Sequence, residues 1–225
     1  MNSKKLSKKS IVLLSAGLDS LTNLAIASKK SQIVLALTFD YGQRSAGQEI
    51  KKAKKICKHY KISHEVVVIP WLKKLTQTAL VNQGRKIPKP TSENLNEYSV
   101  SLKNAKAVWV PNRNGVFINI AASYAESLGA SEIIVGFNKE EAATFPDNSE
   151  KYLKQAISAL SSSTLSKVKV HSYTLRLNKK EIVKKALEVG APLQLVWSCY
   201  EGKSKMCGEC ESCKRLRRAL EANRV

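Results

Sequence analysis

The sequence predicts an α/β protein built on a doubly wound, mostly parallel sheet, and three observations carry that expectation. Short runs rich in Val, Ile and Leu at 10–14, 33–39, 64–69 and 132–136 read as strands buried on both faces. Amphipathic stretches alternate with them in the manner of βαβ units. The first run, Ile11-Val12-Leu13-Leu14, breaks into Ser15-Ala16-Gly17-Leu18-Asp19-Ser20 and then into a helical stretch, so a loop of small residues stands at a strand-to-helix junction.

Taken in order, that loop comes first. A helix N-terminus offers unpaired N–H groups and partial positive charge, and small residues let an anion approach the backbone, so the loop reads as a phosphate site. It lacks the Gly-Lys-Ser/Thr of a Walker loop and the glycine pattern of a dinucleotide turn. The competing reading is a plain helix start, since Ser15, Asp19 and Ser20 are all good capping residues. After the second run, residues 43–60 place Ile50, Ala53, Ile56, Cys57 and Tyr60 at helical spacing with lysines opposite. Residues 71–110 lose clear periodicity, with Gly84, Pro88 and Pro90 interrupting, and read as a lid or substrate-covering insertion. A more apolar helix follows at 115–128 and ends at Gly129; helices at 149–160, 179–188 and 213–221 and a strand at 168–175 complete the pattern.

Ligands in such sheets bind beyond the carboxyl ends of the strands. The Ser15 loop, the segment Thr38 to Arg44 and the segment Gly136 to Glu141 should therefore converge on one crevice, with Pro111-Asn112-Arg113-Asn114 facing the same place.

With 225 residues and 43% hydrophobic content, a single domain over 1–225 is expected. Apolar runs such as 33–39 are too short to span a bilayer, and the run behind Lys4, Lys5, Lys8 and Lys9 is too brief for a signal peptide, so a cytoplasmic protein without membrane contact is expected. The formal charge of +20, from 38 Lys and Arg against 18 Asp and Glu, favours polyanions. Either the protein binds nucleic acid or it handles nucleotides with a generally basic surface. Because Lys51, Lys52, Lys54, Lys55, Lys73, Lys74, Lys179, Lys180, Lys184 and Lys185 are dispersed, they read mainly as solvated helix faces, and direct nucleic-acid binding is the lesser expectation.

Four of the five cysteines, Cys199, Cys207, Cys210 and Cys213, fall within fifteen residues with spacing C-x7-C-x2-C-x2-C. Four soft sulfurs suit a tetrahedral structural zinc, with the chain at 197–222 wrapped around it. An iron–sulfur cluster and a redox dithiol are the alternatives, the second leaving two cysteines unemployed. Cys57 reads as a small buried hydrophobe. His59, His64 and His171 show no metal-ligand spacing, and no Ser/His/Asp or Cys/His nucleophile set assembles.

The Ser15 to Ser20 loop resembles the Ser-Gly-Gly-x-Asp-Ser signature of the ATP pyrophosphatase (PP-loop) enzymes, with Ala16 for the first glycine. Together with Leu37-Thr38-Phe39-Asp40-Tyr41-Gly42-Gln43-Arg44, Val110 to Asn114, Phe145-Pro146-Asp147, and Trp197-Ser198-Cys199-Tyr200 before the other three cysteines, it resembles the 7-cyano-7-deazaguanine synthase family of queuosine biosynthesis, in family order over almost the whole chain.

The resemblance implies an adenine nucleotide α-hydrolase-like (Rossmann-like) fold and a homodimer. It also implies an ATP-dependent carbon–nitrogen ligase that turns 7-carboxy-7-deazaguanine and ammonia into the nitrile through an adenylated carboxylate and an activated amide. Alternatives keep the nucleotide chemistry but modify tRNA directly, or pass the adenylated base to another acceptor. On the resemblance, ATP and its Mg²⁺ lie against Leu14, Ser15, Ala16, Gly17, Leu18, Asp19, Ser20, Leu21, Thr22, Asn23 and Leu24, with Phe39 on the adenine side. Ser15, Asp19, Ser20 and Arg113 would serve the chemistry; Arg44, Arg113, Asn114, Glu141 and Asp147 would meet the substrate; Cys199, Cys207, Cys210 and Cys213 match the family's zinc ligands. Arg113 otherwise reads as a salt bridge, and Glu141 and Asp147 as loop caps.

The chain departs from the commoner family pattern at Ala16, at Ser45 with Glu49 one place late, and at Glu141, Ala143-Thr144, Phe145 and Asn148. Most of these lie on the substrate side.

Overall fold

The computed structural model describes residues 8–225; Lys4 and Lys5 lie outside the described residues. A five-stranded sheet forms the centre, in spatial order β3-β2-β1-β4-β5. Its strands are β1 (Lys9–Leu13), β2 (Gln32–Asp40), β3 (His64–Val68), β4 (Glu132–Ile134) and β5 (Lys169–His171), and every neighbouring pair is parallel. The helices are α1 (Leu18–Ala27), α2 (Ala46–Tyr60), α3 (Pro70–Lys74), α4 (Tyr98–Val108), α5 (Arg113–Ser127), α6 (Lys139–Ala142), α7 (Glu150–Ser163), α8 (Lys179–Val189) and α9 (Glu211–Glu221).

Burial explains the pattern. Ile11, Val12, Ala36, Leu37, Ile133 and Ile134 are fully enclosed, which is what strands covered on both faces require. The connection β1-α1-β2 runs to one side of β1 and α5 delivers the chain to β4 on the other; right-handed crossovers therefore put α1 and α5 on opposite faces. Helix α2 turns Ala53, Ile56 and Cys57 inward and leaves Lys51, Lys54, Lys55 and Lys58 exposed, the solvated face expected. Helix α8 opens with a complete capping box between Asn178 and Glu181 and stops at Gly190, which takes the left-handed conformation that glycine tolerates.

Two expectations are corrected. The strand at 168–175 is confined to Lys169–His171, because Ser172 and Thr174 turn their hydroxyls onto the Phe137 carbonyl instead of extending the ladder. The run at 64–69, expected to be buried on both faces, is the edge strand β3, where Glu65 and Val68 are exposed; residues 71–110, whose periodicity is unclear in the sequence, hold α4 and give Leu72, Leu80, Val81, Ile87, Val108 and Val110 to the central core.

Because β1 is flanked by β2 and β4, which lead away in opposite directions, the sheet has its switch point at the carboxyl end of β1. The Ser15 loop stands there.

Candidate active site

The loop is pinned from behind. Leu14 N–H donates to the Leu37 carbonyl (2.8 Å), and Thr38 Oγ1 donates to the Leu14 carbonyl (2.6 Å). Helix α1 then starts at Leu18 after Gly17 with no side-chain cap, so the capping reading of Ser15, Asp19 and Ser20 fails and the first-turn N–H groups are left for a ligand. Ser20 Oγ donates to the Gly17 carbonyl (3.1 Å) and lies 3.2 Å from Ser15 Oγ, which brings both hydroxyls to one place. Gly136, at the end of β4, lets the next backbone come this close: a Cβ there would lie 2.8 Å from the Ser20 nitrogen. Ala16 is fully buried with φ of 61°, in the left-handed region where an L-residue is strained.

A cavity of about 270 Å³ opens in front of this loop. One wall is charged. Lys179 Nζ, expected on a solvated face, instead sits 2.5 Å from Asp19 Oδ2 and 2.8 Å from Glu141 Oε1, with the lysine side chain only 12% exposed. It is carried inward because α8 starts at the end of β5, where the Lys179 N–H donates to Glu140 Oε1 (2.8 Å). Burial raises the Asp19 carboxyl to about 6 although Lys179 pulls it down. Burial also acts to raise Glu141, but there the Lys179 charge wins and the carboxyl is lowered. For Lys179, burial favours the neutral amine and the two carboxylates outweigh it, so the ammonium is held. Asp19 Oδ1 is buried with no partner among the described residues.

The opposite wall comes from β2, α2 and α5. Arg113, the first residue of α5, donates from its guanidinium to Tyr41 Oη (3.2 Å), the one hydrogen-bond partner of its side chain among the described residues. Among the described residues no salt bridge occupies it, so the rest of its planar fork remains available to an anion. Burial acts to lower the Arg113 guanidinium, but Tyr41 and Asp147 outweigh it, and it stays charged. Phe39 stacks on Phe117 with ring centroids 4.0 Å apart, forming a flat apolar surface beside it. Leu80, Ser101, Ala105 and Val108 from the 71–110 segment close the cavity.

Of the expected nucleotide residues, Leu14, Ser15, Gly17, Leu18, Asp19, Ser20 and Phe39 line the cavity. Leu21, Thr22, Asn23 and Leu24 do not. They lie further along α1, where Leu21 and Leu24 fill the core, Thr22 bonds the Leu18 carbonyl, and Asn23 ties α1 to Tyr173 and Thr174. Ala16 supports the loop through its carbonyl, which accepts from Trp197 N–H (2.9 Å). On the substrate side Arg113, Asn114 and Glu141 line the cavity. Arg44 does not: it donates to the carbonyls of Asn82 (2.6 Å) and Arg85 and faces Glu201 (3.4 Å), so it fastens the 71–110 segment. Asp147 stands behind Asn114, which donates to its backbone carbonyl (3.3 Å), and Asn148 takes the place at the cavity. Lys179 was read from the sequence as part of a solvated face, Glu49 only as a departure from the family pattern, and Tyr41 only as a member of the Thr38 to Arg44 segment. Only the Asn-Lys-Lys-Glu capping box at the mouth of β5 hints at the first.

The four cysteine sulfurs lie within 4.8 Å of one another, and none is in a disulfide. Backbone N–H groups of Glu201 and Cys207 point at Cys199 Sγ (3.4 and 3.3 Å), and that of Cys210 at Cys207 Sγ (3.3 Å), a setting for thiolates around a metal. Gly202, at φ of 69°, presses on the Arg44 backbone, where any Cβ would collide. Cys199 and Tyr200 themselves line the cavity.

A parallel 3-2-1-4-5 sheet, a small-residue loop at its switch point and an uncapped helix start define a nucleotide-binding α/β protein of the PP-loop class. Solved structures with this fold include a U34-tRNA thiolase from Methanococcus maripaludis with its [4Fe-4S] cluster (TM-score 0.52, 16% identity, 97% of this chain and 68% of that one). A 4-thiouridine synthetase–RNA complex with bound ATP is also similar (TM-score 0.53, 19% identity, 96% and 50%). Residues 9–224 match the family model described as queuosine biosynthesis protein QueC, and the chain belongs to that family. It is 52% identical to the 7-cyano-7-deazaguanine synthase of Pelotomaculum thermopropionicum (95% of this chain, 96% of the relative) and 52% identical to that of Carboxydothermus hydrogenoformans (96% and 100%). It is 50% identical to that of Methanosarcina mazei (95% and 94%).

Proposed function

We propose that this protein is an ATP-dependent 7-cyano-7-deazaguanine synthase. One observation carries the reading beyond the family match: the uncapped loop, the Arg113 guanidinium, which has no ion pair among the described residues, and the Lys179 ammonium face a single cavity, as adenylation of a bound carboxylate needs. The substrate carboxylate attacks the α-phosphorus of ATP and pyrophosphate leaves. Ammonia displaces AMP to give the amide, the amide oxygen is adenylated in turn, and loss of AMP and a proton leaves the nitrile. Each activation makes a poor leaving oxygen a good one.

In this scheme the α1 N–H groups with Ser15 and Ser20 hold the departing pyrophosphate, and Arg113 orients the carboxylate. Lys179 stands over the developing phosphate charge and keeps Asp19 in place. The orphaned Asp19 Oδ1 suits Mg²⁺, a hard cation seeking oxygen ligands, which would accompany ATP and screen its charge. The 71–110 segment acts as the cover of the substrate.

Zinc is the metal the cysteine cluster fits best. Four sulfurs around one ion with bonds of about 2.3 Å stand closer together than ligands shared among the irons of a cluster. With four sulfur ligands it has no open position, so its role is structural. The protein works in the cytoplasm, where thiols stay reduced, as a homodimer. Sedimentation tests the dimer, and elemental analysis expects one zinc per chain; iron with a brown colour overturns the zinc assignment.

The central test incubates the protein with 7-carboxy-7-deazaguanine, ammonia and Mg-ATP and follows products by mass spectrometry. Nitrile with AMP released is expected. AMP release without nitrile overturns the reading.

A further inference from the structure

Five carboxylates line the cavity: Asp19, Glu49, Glu140, Glu141 and Glu211. Four are paired with cations, Asp19 and Glu141 with Lys179, Glu140 and Glu211 with Arg215. Glu49, on the first turn of α2, is held by neutral groups. Ser45 Oγ donates to its Oε1 (2.5 Å) and Gln43 Nε2 to its Oε2 (3.0 Å). Gln43 cannot turn away, because its amide is fixed by the Tyr41 N–H (3.0 Å) and the Phe39 carbonyl (3.0 Å). Ser45, the residue before α2, leaves the helix uncapped and spends its hydroxyl on Glu49. The chain thus builds a rigid cradle for one carboxylate, and each of its oxygens keeps a lone pair in reserve.

Resting on the proposed function, we propose that Glu49 is the specificity-determining residue that reads the pyrimidine edge of the 7-deazaguanine substrate. That edge offers two adjacent parallel donors, the ring N1–H and the exocyclic 2-amino group, which match the two oxygens of a carboxylate. Adenine presents a donor beside an acceptor and would set a ring lone pair against one oxygen, so the cradle suits the base and not the nucleotide. The placement agrees. Glu49 hangs from the first turn of α2 on the β2 side of the cavity, held by Gln43 and Ser45, whereas Asp19 on the loop is paired with Lys179 of α8 on the opposite wall. A base lying along the Phe39–Phe117 surface would reach Glu49 with its pyrimidine edge and turn its carboxylate toward Arg113 and the loop.

The test measures kcat/KM for 7-carboxy-7-deazaguanine and for its 2-desamino counterpart, in the wild type and in Glu49→Gln, with the KM for ATP followed in parallel. The wild type should prefer the 2-amino base by about 10-fold or more, the worth of a charge-assisted hydrogen bond. Glu49→Gln should raise the KM for the 2-amino base about 10- to 100-fold, leave the KM for ATP within about twofold, and reduce the preference to about threefold or less. Equal use of both bases by the wild type defeats the proposal whether or not the variant folds. A variant with a raised KM for ATP and an unchanged KM for the base also defeats it, by placing Glu49 on the nucleotide. No nitrile from the wild type with the 2-amino base defeats the proposed function and this inference together, whereas nitrile from both bases at equal efficiency defeats this inference alone.

Discussion

Replacing Lys179 with methionine tests the charged wall most directly. The side chain keeps most of its length and loses its charge, so Asp19, buried and touching Nζ in the wild type, is left without its cation beside a partly exposed Glu141. Breaking a buried pair by removing one partner costs about 3–5 kcal/mol. For a chain of this size each kcal/mol moves the melting temperature by about 2–4 °C, so a fall of roughly 6–20 °C is expected near neutral pH. The sign of the pH dependence follows from Asp19. Its carboxyl already stands at about 6 against an ordinary 3.8, because burial outweighs Lys179. Without the lysine it rises further. Between the unfolded value and that raised one, the folded state holds more protons than the unfolded state, so the variant gains stability as pH falls and loses it as pH climbs through the raised value. Thermal melts from pH 5 to 8, with AMP release measured alongside, check this. A fall of less than about 2 °C at pH 7.5, or a deficit that does not shrink toward pH 5, would refute the reasoning.

Three other outcomes are expected. Ala16→Gly removes left-handed strain of about 1–2 kcal/mol but forfeits about 0.8 kcal/mol of methyl burial and about 0.4–1 kcal/mol of chain entropy, so stability moves by less than about 1 kcal/mol in a melt. Turnover should rise as the loop relaxes onto phosphate, and a lower rate counts against strain. In Gly136→Ala the new Cβ meets the Ser20 backbone at 2.8 Å, and overpacking of about 1–3 kcal/mol with a raised KM for ATP should follow; an unchanged KM would show that the loop does not hold the nucleotide. Stripping the metal proposed for the cysteines with a strong chelator should abolish nitrile formation and lower the melting temperature, and activity that survives verified metal loss would remove the cysteine segment from the function.

The sheet was legible because its central strands are buried on both faces, and an uninterrupted apolar run as short as Ile33 to Leu37 suits a doubly covered strand better than a helix or a loop. The loop was legible because its small residues follow such a run, and the cysteines because four sulfurs with two Cys-x-x-Cys steps leave few options. Other features were hidden for physical reasons. Helix α4 mixes Tyr98, Ser99, Ser101 and Asn104 among its apolar residues, because it divides its contacts between the core and a polar cavity and so shows no clean stripe. Lys179 belongs to a run of lysines that is otherwise solvated; the end of β5, not its neighbours in sequence, turns it inward. Arg44 stands between motif residues and looks like a ligand, yet its partners are backbone carbonyls 38 or more residues away, which no local pattern reveals.

Those distant partners explain why a tail of cysteines belongs to an enzyme whose chemistry needs no thiol. The loop proposed to grip phosphate contains a residue in the wrong half of backbone space for its side chain, and left alone it would relax. Trp197 N–H holds the Ala16 carbonyl, Trp197 Nε1 bonds the Cys199 carbonyl (3.0 Å), and Cys199 is fixed by the cluster two residues on. Gly202 meanwhile lies against the Arg44 backbone, and Arg44 fastens the cavity's cover. A metal bound by the cysteines would thus brace the loop at one end and the covering segment at the other. Its removal should therefore weaken ATP binding before the sheet melts, a separation that nucleotide titration at increasing chelator concentration, set beside circular dichroism, can resolve. Simultaneous loss of both signals would mean that the metal holds the fold as a whole and not the loop.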